Sequence, residues 1–318
     1  MVVPGSSPIP SLRDVVEVPG PWQHRTVAAN GAQFHVAEAG DGPLVLLLHG
    51  FPEFWWTWRH QLPALAAAGY WAVAMDLRGY GGSDKTPRGY DPYTVAADIT
   101  GVIRALGRRS AVIVGHGWGG YFAWSTSVLR PGHVEAIGVV SMAHPLQMRR
   151  AMRSGPQRAA AGHALRMQLP WRPERELIAD DGAEVERILR VWSAPGSGFP
   201  DAEASRRYRD ALAIWPAPHC SLEYHRWAFR SLFRLDGRRF AARMAQPVTV
   251  PVLQLHGLAD PAVLPDFARR SRAHVSGPYR WAGIDAAGHY PQEERPGEVN
   301  AYLLTWLQDL PRDAGRPV

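Results

Sequence analysis

The sequence predicts an α/β fold whose mostly parallel sheet is covered by helices on both faces. Short, mainly apolar runs such as residues 43–48, 70–76 and 250–255 alternate with segments of helical periodicity. Such runs are expected for strands buried on both faces, and their alternation with helices is typical of a parallel sheet. Residues 145–243 contain no strand-like run and are rich in Arg, Ala and Pro, which predicts a helical insertion.

An N-terminal hairpin opens the series of elements. Residues 22–29 and 32–38 alternate apolar and polar side chains around Asn30-Gly31, a dipeptide favoured in type I′ turns. The later predicted strands are residues 43–48, 70–76, 111–114, 136–142, 250–255 and 279–284. The predicted helices of the core are residues 55–68, 94–106, 121–129 and 298–310.

This series divides the chain into three regions. Residues 1–21 are rich in Pro, Gly and Ser and lack the apolar stretch of a secretory signal, so we expect a flexible N-terminal arm. We expect residues 22–144 and 244–318 to form the core domain. Residues 145–243 are expected to form a helical cap, or lid, over the carboxyl ends of the strands, where such sheets bind ligands.

The composition is that of an ordinary globular protein. Of the 318 residues, 46% are hydrophobic and 20% are charged. The net charge of +6 comes from Arg side chains spread along the chain, so we expect no nucleic-acid partner. No apolar run reaches the roughly 20 residues of a membrane span, and the single cysteine, Cys220, favours a reducing, cytoplasmic setting. We expect a monomer or homodimer that uses no cofactor. We also expect no metal, because no His/Cys spacing fits a metal site.

The most informative stretch is A-V-I-V-G-H-G-W-G-G at residues 111–120. A buried strand, a tight glycine-rich turn and a helix in this order form the nucleophile elbow of many hydrolases. Gly115, Gly119 and Gly120 stand where strand and helix crowd each other and a Cβ would clash. The central position, which holds the nucleophile in a working elbow, is Gly117. The sequence therefore predicts an elbow whose nucleophile position carries no side chain.

Four segments in order carry a resemblance to a known family. They are H-G-F-P-E-F-W-W-T-W-R at 49–59, D-L-R-G-Y-G-G-S-D-K at 76–85, G-H-G-W-G-G at 115–120 and G-H-Y-P-Q-E-E-R-P at 288–296. With these segments and the insertion, about residues 20–312 resemble the epoxide-hydrolase branch of the α/β-hydrolase superfamily. The resemblance implies the α/β-hydrolase fold with a cap, and cofactor-free hydrolysis of a small apolar substrate. In that chemistry an elbow carboxylate attacks an epoxide carbon, and water activated by a histidine hydrolyses the resulting ester.

The resemblance also implies a histidine base and an acid that orients it. His289 lies in a loop after the last predicted strand, from which its ring can reach the elbow. Asp260, in L-H-G-L-A-D, follows the next-to-last strand and is the expected orienting acid. Its alternative role is to cap a helix that begins at Pro261. Asp285 is nearer to His289 along the chain, but we expect it to belong to the loop.

Backbone N–H groups of Phe51 and Trp118 are the expected oxyanion hole. A hole of this kind needs only backbone geometry, so the glycine at position 117 leaves it possible. Phe51, Trp55, Trp56 and Trp118 are candidates for the wall of an apolar pocket. The alternative is that these aromatic side chains are ordinary core residues. His116, within the elbow, is expected to hydrogen-bond between loops.

The predicted cap departs from the family pattern at its tyrosines, which donate to the epoxide oxygen. One family tyrosine ends a stretch similar to L-N-W-Y-R, and the match here is L-E-Y-H-R at residues 222–226. His225 therefore occupies the tyrosine position and Tyr224 stands one residue earlier. The other tyrosine belongs in the first half of the cap, but none occurs between Tyr121 and Tyr208. Both residues of the shifted pair, Tyr224 and His225, are candidates for substrate binding.

Three functions are compatible with these residues. The first is a hydrolase of the epoxide-hydrolase type, with activity impaired or altered. In it His289 either activates water directly or performs other base chemistry on a substrate that brings its own electrophile. The second is a pseudoenzyme that keeps the pocket and binds a ligand. The third is a cofactor-free oxygenase, which needs a His/Asp pair but no elbow nucleophile.

Overall fold

One eight-stranded sheet organises the molecule. The structure, a computed structural model, describes residues 12–151, 155–160 and 162–311. The strand order is β1-β2-β4-β3-β5-β6-β7-β8. The strands are β1 (Gln23–Ala29), β2 (Ala32–Ala39), β3 (Leu44–Leu48), β4 (Trp71–Met75), β5 (Ala111–His116), β6 (Val134–Val140), β7 (Val252–Gly257) and β8 (Tyr279–Ile284). β2 pairs antiparallel with β1 and with β4, and all other neighbours are parallel, which confirms the predicted mostly parallel sheet.

Helices cover both faces of the sheet and fill the long connection between β6 and β7. The helices of the core are α1 (Leu12–Val16), α2 (Gln61–Ala67), α3 (Pro92–Ala105), α4 (Trp118–Leu129), α13 (Pro265–Arg269), α14 (Pro291–Glu294) and α15 (Pro296–Asp309). Those of the connection are α5 (Pro145–Ala151), α6 (Gly155–Ala160), α7 (His163–Arg166), α8 (Arg172–Ile178), α9 (Ala183–Trp192), α10 (Ala202–Ala213), α11 (Ala217–Arg230) and α12 (Leu235–Met244).

Local chemistry accounts for two predicted boundaries. Asn30 and Gly31, between β1 and β2, have φ angles of +45° and +73°. Both central residues of a type I′ turn need positive φ, which Asn and Gly tolerate. At the start of α3, the Asp91 carboxylate accepts hydrogen bonds from the backbone N–H groups of Tyr93 and Thr94 at 3.0 and 3.1 Å. This capping bond satisfies donors that the first helical turn leaves unpaired.

The predicted helix at 55–68 is divided in two. Residues Trp55–Trp58 form a 3₁₀ turn, and α2 begins only at Gln61. Pro63 explains the division, because it has no N–H to donate to the carbonyl of Arg59 and its ring would clash with that carbonyl. Pro63 lies in the first turn of α2, where an N–H group has no intrahelical acceptor, so its missing N–H loses no helical hydrogen bond.

The segment expected to be a flexible arm, residues 1–21, contains a helix in the part that the structure describes. Residues Leu12–Val16 form α1, and Val15, Val16 and Val18 are buried. The indole Nε1 of Trp55 donates a 2.8 Å hydrogen bond to the carbonyl of Val16. These apolar contacts fix the segment against the core. Residues 1–11 lie outside the described residues.

In the described residues, the connection between β6 and β7 consists of the helices α5 to α12 joined by loops, and it contributes no strand to the sheet. Its helices contact residues that follow the carboxyl ends of the parallel strands. The indole Nε1 of Trp118 donates to Nε2 of His225 at 3.0 Å, and the backbone N–H of His289 donates to the carbonyl of Trp192 at 2.7 Å. In the described part of the chain, no helix combines the length and apolar character needed to cross a membrane.

Candidate active site

The elbow between β5 and α4 has the expected backbone. A Cβ on Gly115 would collide with the backbone of Gly119, so the glycine there allows strand and helix to approach. Gly117 has φ +52° and ψ −118°, a conformation that strains an L-residue. A Cβ built on Gly117 would lie 3.5 Å from Cα of Gly50 and 3.6 Å from Nε2 of His289, which are ordinary van der Waals distances. A side chain at position 117 therefore has space, although its backbone is strained.

Asp260 and His289 form a buried pair in front of the elbow. Nδ1 of His289 lies 2.9 Å from Oδ2 of Asp260, and Nε2 faces Gly117. The other oxygen, Oδ1, accepts from the backbone N–H groups of Ala262 and Val263 at 2.8 and 2.9 Å. The two roles expected for Asp260, orienting His289 and capping the following backbone, thus fall to different oxygens.

The charge state of Asp260 fixes the tautomer of this pair. Burial would raise the pKa of Asp260, but the rings of His289 and His256 outweigh it and hold the pKa well below its ordinary value. An ionised carboxylate can only accept, so Nδ1 of His289 carries the proton that it donates to Asp260. In the neutral ring Nε2 is then unprotonated and faces the elbow as an acceptor.

A second carboxylate, Glu294, holds the loop that carries His289. It accepts from the backbone N–H groups of Gly288 and Tyr290 and, at 2.8 Å, from that of Ala194 in the helical connection. Glu294 is buried, with 5% of its surface exposed. A buried carboxylate that accepts several backbone donors fixes their geometry, so Glu294 joins the His289 loop to the segment after α9.

His116, one residue before Gly117, contacts the backbone of the loop that carries His289. Its Nε2 lies 2.8 Å from the carbonyl oxygen of His289, and its Nδ1 lies 2.6 Å from Oε2 of Glu53. Since both ring nitrogens face acceptors, both carry protons and the ring is cationic. Burial lowers the pKa of His116, but the Glu53 carboxylate more than offsets this and raises it above its ordinary value. His116 therefore links loops, as the sequence predicts.

Two backbone N–H groups beside Gly117 are unused. Trp118 is the first residue of α4, where an N–H has no intrahelical partner. The neighbouring N–H groups of Gly117 and Gly119 donate to Val140 and His49, both at 3.0 Å. Those of Phe51 and Trp118 donate to no other described residue. These are the two amides predicted for the oxyanion hole.

A cavity of about 140 Å³ opens above the elbow and reaches His289 and Gly117. A dry cavity of this order can hold a benzene-sized group. Most of its wall is aromatic or aliphatic. The lining residues are Phe51, Gly117, Trp118, Tyr121, Met142, Pro145, Met148, Arg149, Ala164, Trp192, His225, Ala228, Phe229, Ser231, Leu232, Ala262, Val263 and His289.

Trp55 and Trp56, which we predicted as pocket walls, do not line this cavity. The 3₁₀ turn directs both into the core. Trp55 packs edge-on against Trp22, with ring centroids 5.3 Å apart. Trp56 lies under the guanidinium of Arg59, 3.7 Å from its ring centroid. The alternative interpretation, ordinary core aromatics, holds for these two residues, whereas Phe51 and Trp118 do face the cavity.

Tyr224 and His225 are adjacent on α11, but their side chains point in different directions. The Tyr224 hydroxyl donates a 2.6 Å hydrogen bond to the carbonyl of Arg78, away from the cavity. His225 lines the cavity, and its Nε2 accepts from the indole of Trp118. An indole N–H can only donate, so Nε2 of His225 is unprotonated in this contact. Tyr224 thus points away from the cavity, whereas His225 lines it with Nε2 held by Trp118.

Sequence reasoning missed Tyr121, Arg149 and Trp192 in the cavity wall and Glu294 behind His289. Tyr121 stands four residues after Gly117, a spacing that places both on one face of the elbow helix. That spacing was a usable signal. The orientations of Arg149 and Trp192 depend on how the helices of the connection pack, for which the sequence contains no pattern. In the part of the chain that the structure describes, no three His, Cys, Asp or Glu side chains are grouped as metal ligands.

Comparison with known proteins places the chain in a family. The family model described as the alpha/beta hydrolase family matches residues 45–302. Epoxide hydrolase A of Mycobacterium tuberculosis is 35% identical over 316 aligned positions, covering 90% of this chain and 97% of the relative. Epoxide hydrolase 3 of Xenopus tropicalis is 33% identical, covering 88% of this chain and 76% of the relative.

Solved structures agree with the sequence relatives. The crystal structure of epoxide hydrolase A from Mycobacterium thermoresistibile superposes with a TM-score of 0.79 at 31% identity, covering 91% of this chain and 99% of the other. An epoxide hydrolase from an endophytic Streptomyces gives a TM-score of 0.77 at 31% identity, covering 92% and 97%. The fold, the elbow and these matches agree, and the chain belongs to the α/β-hydrolase family, in its epoxide-hydrolase branch.

Proposed function

We propose that the protein hydrolyses a small apolar substrate by direct attack of water, with His289 as the general base. The observation that carries the proposal is the position of Nε2 of His289. It lies 3.6 Å from the point at which a side chain would start on Gly117, while Nδ1 is held by Asp260 at 2.9 Å. The base side of the reaction is thus complete, and the place of the elbow nucleophile is open to a water molecule.

With an ester, the reaction would proceed by addition of water to the carbonyl carbon, followed by collapse of the tetrahedral intermediate. Water attacks the electrophilic carbon as its proton passes to Nε2 of His289, and Asp260 stabilises the imidazolium that forms. With an ester, the carbonyl oxygen becomes an oxyanion held by the N–H groups of Phe51 and Trp118. The carbon–oxygen bond to the alcohol then breaks, and the leaving oxygen takes the proton back from His289. The products are an acid and an alcohol.

A carbonyl substrate suits the site better than an epoxide. In the family an epoxide is opened by an elbow carboxylate, whose position here is Gly117, with two cap tyrosines as donors to the epoxide oxygen. Tyr224 donates to the carbonyl of Arg78, and His225 accepts through Nε2 from Trp118. The unused amides of Phe51 and Trp118 serve a carbonyl oxygen instead. We propose that the helical connection acts as the lid of this cavity, and its apolar wall supports a small apolar substrate.

A chromogenic panel of aryl esters and epoxides tests the proposal. The unmodified chain, His289→Gln and Gly117→Asp would be compared on every compound. We expect ester turnover by the unmodified chain, a loss with His289→Gln, and epoxide turnover at background. A single turnover in oxygen-18-labelled water, with enzyme in excess, separates the mechanisms. Direct attack places the label in the first molecule of product, whereas attack by an enzyme carboxylate leaves that first product unlabelled.

Two other outcomes would favour the remaining functions. Ligand binding without turnover of any panel member would favour a pseudoenzyme. Oxygen consumption with heteroaromatic substrates, lost in His289→Gln, would favour the cofactor-free oxygenase. Epoxide turnover by the unmodified chain at the level of family members would contradict the proposed role of Gly117.

A further inference from the structure

Arg149 is a cation in the wall of the cavity, and no described residue serves it as an acidic partner. It lies on α5, is partly buried, and lines the cavity. Its Nη1 donates to Oγ of Ser231 at 3.2 Å, and it forms no ion pair with any described residue. The following residues, 150–154, contain no acid. A partly buried guanidinium still favours an anionic acceptor, and a serine hydroxyl meets that need only in part.

Tyr121 presents a second donor in the same wall. Its ring lines the cavity and packs against Trp118 and Phe240 at centroid distances of 5.2 and 6.1 Å. The hydroxyl makes no hydrogen bond to another described residue. Burial raises the pKa of Tyr121, so the hydroxyl stays protonated, and the nearby charge of Arg149 opposes that rise. A protonated hydroxyl on α4 and a guanidinium on α5 therefore line the same cavity.

The remaining wall offers no counter-charge. None of the residues that line the cavity is Asp or Glu. Arg149 and Tyr121 make no hydrogen bond, ion pair or ring contact with His289, whose ring neighbours are His116, Trp192 and Tyr290. The charged part of the wall is thus distinct from the base that faces Gly117. An anion at Arg149 would leave the elbow free for the reacting group.

We propose that Arg149 and Tyr121 bind a carboxylate of the ligand, so that the natural ligand is a small apolar molecule bearing a carboxylic acid. The guanidinium takes one or both carboxylate oxygens, and the tyrosine hydroxyl donates to the carboxylate from the elbow helix. The apolar body lies against Met142 and Phe229. That a second group of this ligand reacts at Gly117 rests on the proposed function; the carboxylate site does not.

Binding of a matched pair of probes tests the carboxylate site. The probes are 3-phenylpropanoate and its neutral amide, which share shape and apolar area. Binding to the full chain is followed by quenching of tryptophan fluorescence, since Trp118 and Trp192 line the cavity. We expect the acid to bind about tenfold more tightly than the amide, because a charge-assisted hydrogen bond has this order of effect.

Substitutions test which residues produce the tighter binding of the acid than of the amide. Arg149→Gln should abolish it, Arg149→Lys should keep part of it, and Tyr121→Phe should reduce it by a few-fold. Arg150→Gln is the matched control, because Arg150 is the exposed neighbour on the same helix, and should leave it unchanged. Equal affinity of acid and amide, or an equal loss in both arginine variants, would overturn the proposal. So would a loss in His289→Gln with Arg149→Gln unaffected, since the anion would then lie at the elbow.

These readouts separate the site from the proposed function. If the acid preference depends on Arg149 while no ester is turned over, the carboxylate site stands and the hydrolase proposal fails. If neutral esters are hydrolysed and the preference is absent, the reverse holds.

Discussion

The two sides of the candidate site differ in how completely they are built. On the base side, Asp260 orients His289, and Glu294 and His116 hold its backbone, all through buried hydrogen bonds. On the nucleophile side, the elbow has its strained backbone but no side chain at Gly117. The elbow backbone is set by the close approach of strand and helix and does not depend on a nucleophile. Loss of that one side chain therefore leaves the base side intact.

The largest expected effect is on the base side. Asp260→Asn replaces the carboxylate that orients His289 and balances its charge during proton transfer. We expect ester turnover to fall by about two to four orders of magnitude, the range for loss of general-base catalysis. Initial rates at saturating ester measure the loss, with far-ultraviolet circular dichroism to verify folding. Turnover unchanged in a folded variant would mean that His289 is not the base.

Glu294→Gln should weaken the base side next. The amide keeps one acceptor oxygen but loses the charge that serves the N–H groups of Gly288, Tyr290 and Ala194. A buried donor without a partner costs about 1–3 kcal/mol, so we expect urea unfolding to show a loss of that size and turnover to fall with it. The exposed pair Arg187–Glu184 supplies the control, because Glu184→Gln should change stability by at most about 1 kcal/mol. Equal effects of the two substitutions would contradict the role of Glu294.

Gly117→Asp and Gly117→Ala sharpen the comparison from the nucleophile side. Both place a side chain on a backbone with φ +52°, which costs about 1–3 kcal/mol. We expect both to lower the melting temperature by a few degrees. The aspartate variant should be the less stable, because it also buries a carboxylate. A more stable aspartate variant would show that an ion pair with His289 outweighs burial. Mass spectrometry after exposure to a styrene-oxide-like epoxide tests whether the new carboxylate forms an ester.

The sequence predicted the sheet, the elbow and the Asp260–His289 contact because each depends on local order and on parallel strands ending at one edge. It failed where orientation depends on packing. Trp55 and Trp56 follow a loop motif, but Pro63 forces a 3₁₀ turn that directs them to the core. Tyr224 and His225 are adjacent, yet a helix places successive side chains about 100° apart, so only His225 faces the cavity.

The cavity wall was the hardest part to predict. Arg149 and Trp192 come from helices separated by loops, and no periodicity within one helix states how it crosses its neighbours. Residues 12–18 show a related effect, since the Pro, Gly and Ser content of residues 1–21 favours a flexible arm, yet Val15, Val16 and Val18 are buried against the core. Composition reports the average segment, whereas burial depends on a few apolar side chains.

The smallest expected effect is a pH dependence from the His116–Glu53 pair beneath the base. The pKa of His116 is raised in the fold, against the effect of burial, by Glu53. Its contribution to stability is therefore complete below the ordinary imidazole value of 6.5 and is lost as pH rises through the higher folded value. Burial would raise the pKa of Glu53, but His116 lowers it below the ordinary value of 4.5, so its contribution to stability is lost only as pH falls through that lower value.

We expect the melting temperature to be highest between the lowered pKa of Glu53 and the raised pKa of His116, and to decline on the alkaline side. The double variant His116→Gln/Glu53→Gln removes both charges and should show a shallower alkaline decline, measured by scanning calorimetry from about pH 6 to pH 9. The same slope in both proteins would mean that His116 is neutral in the fold.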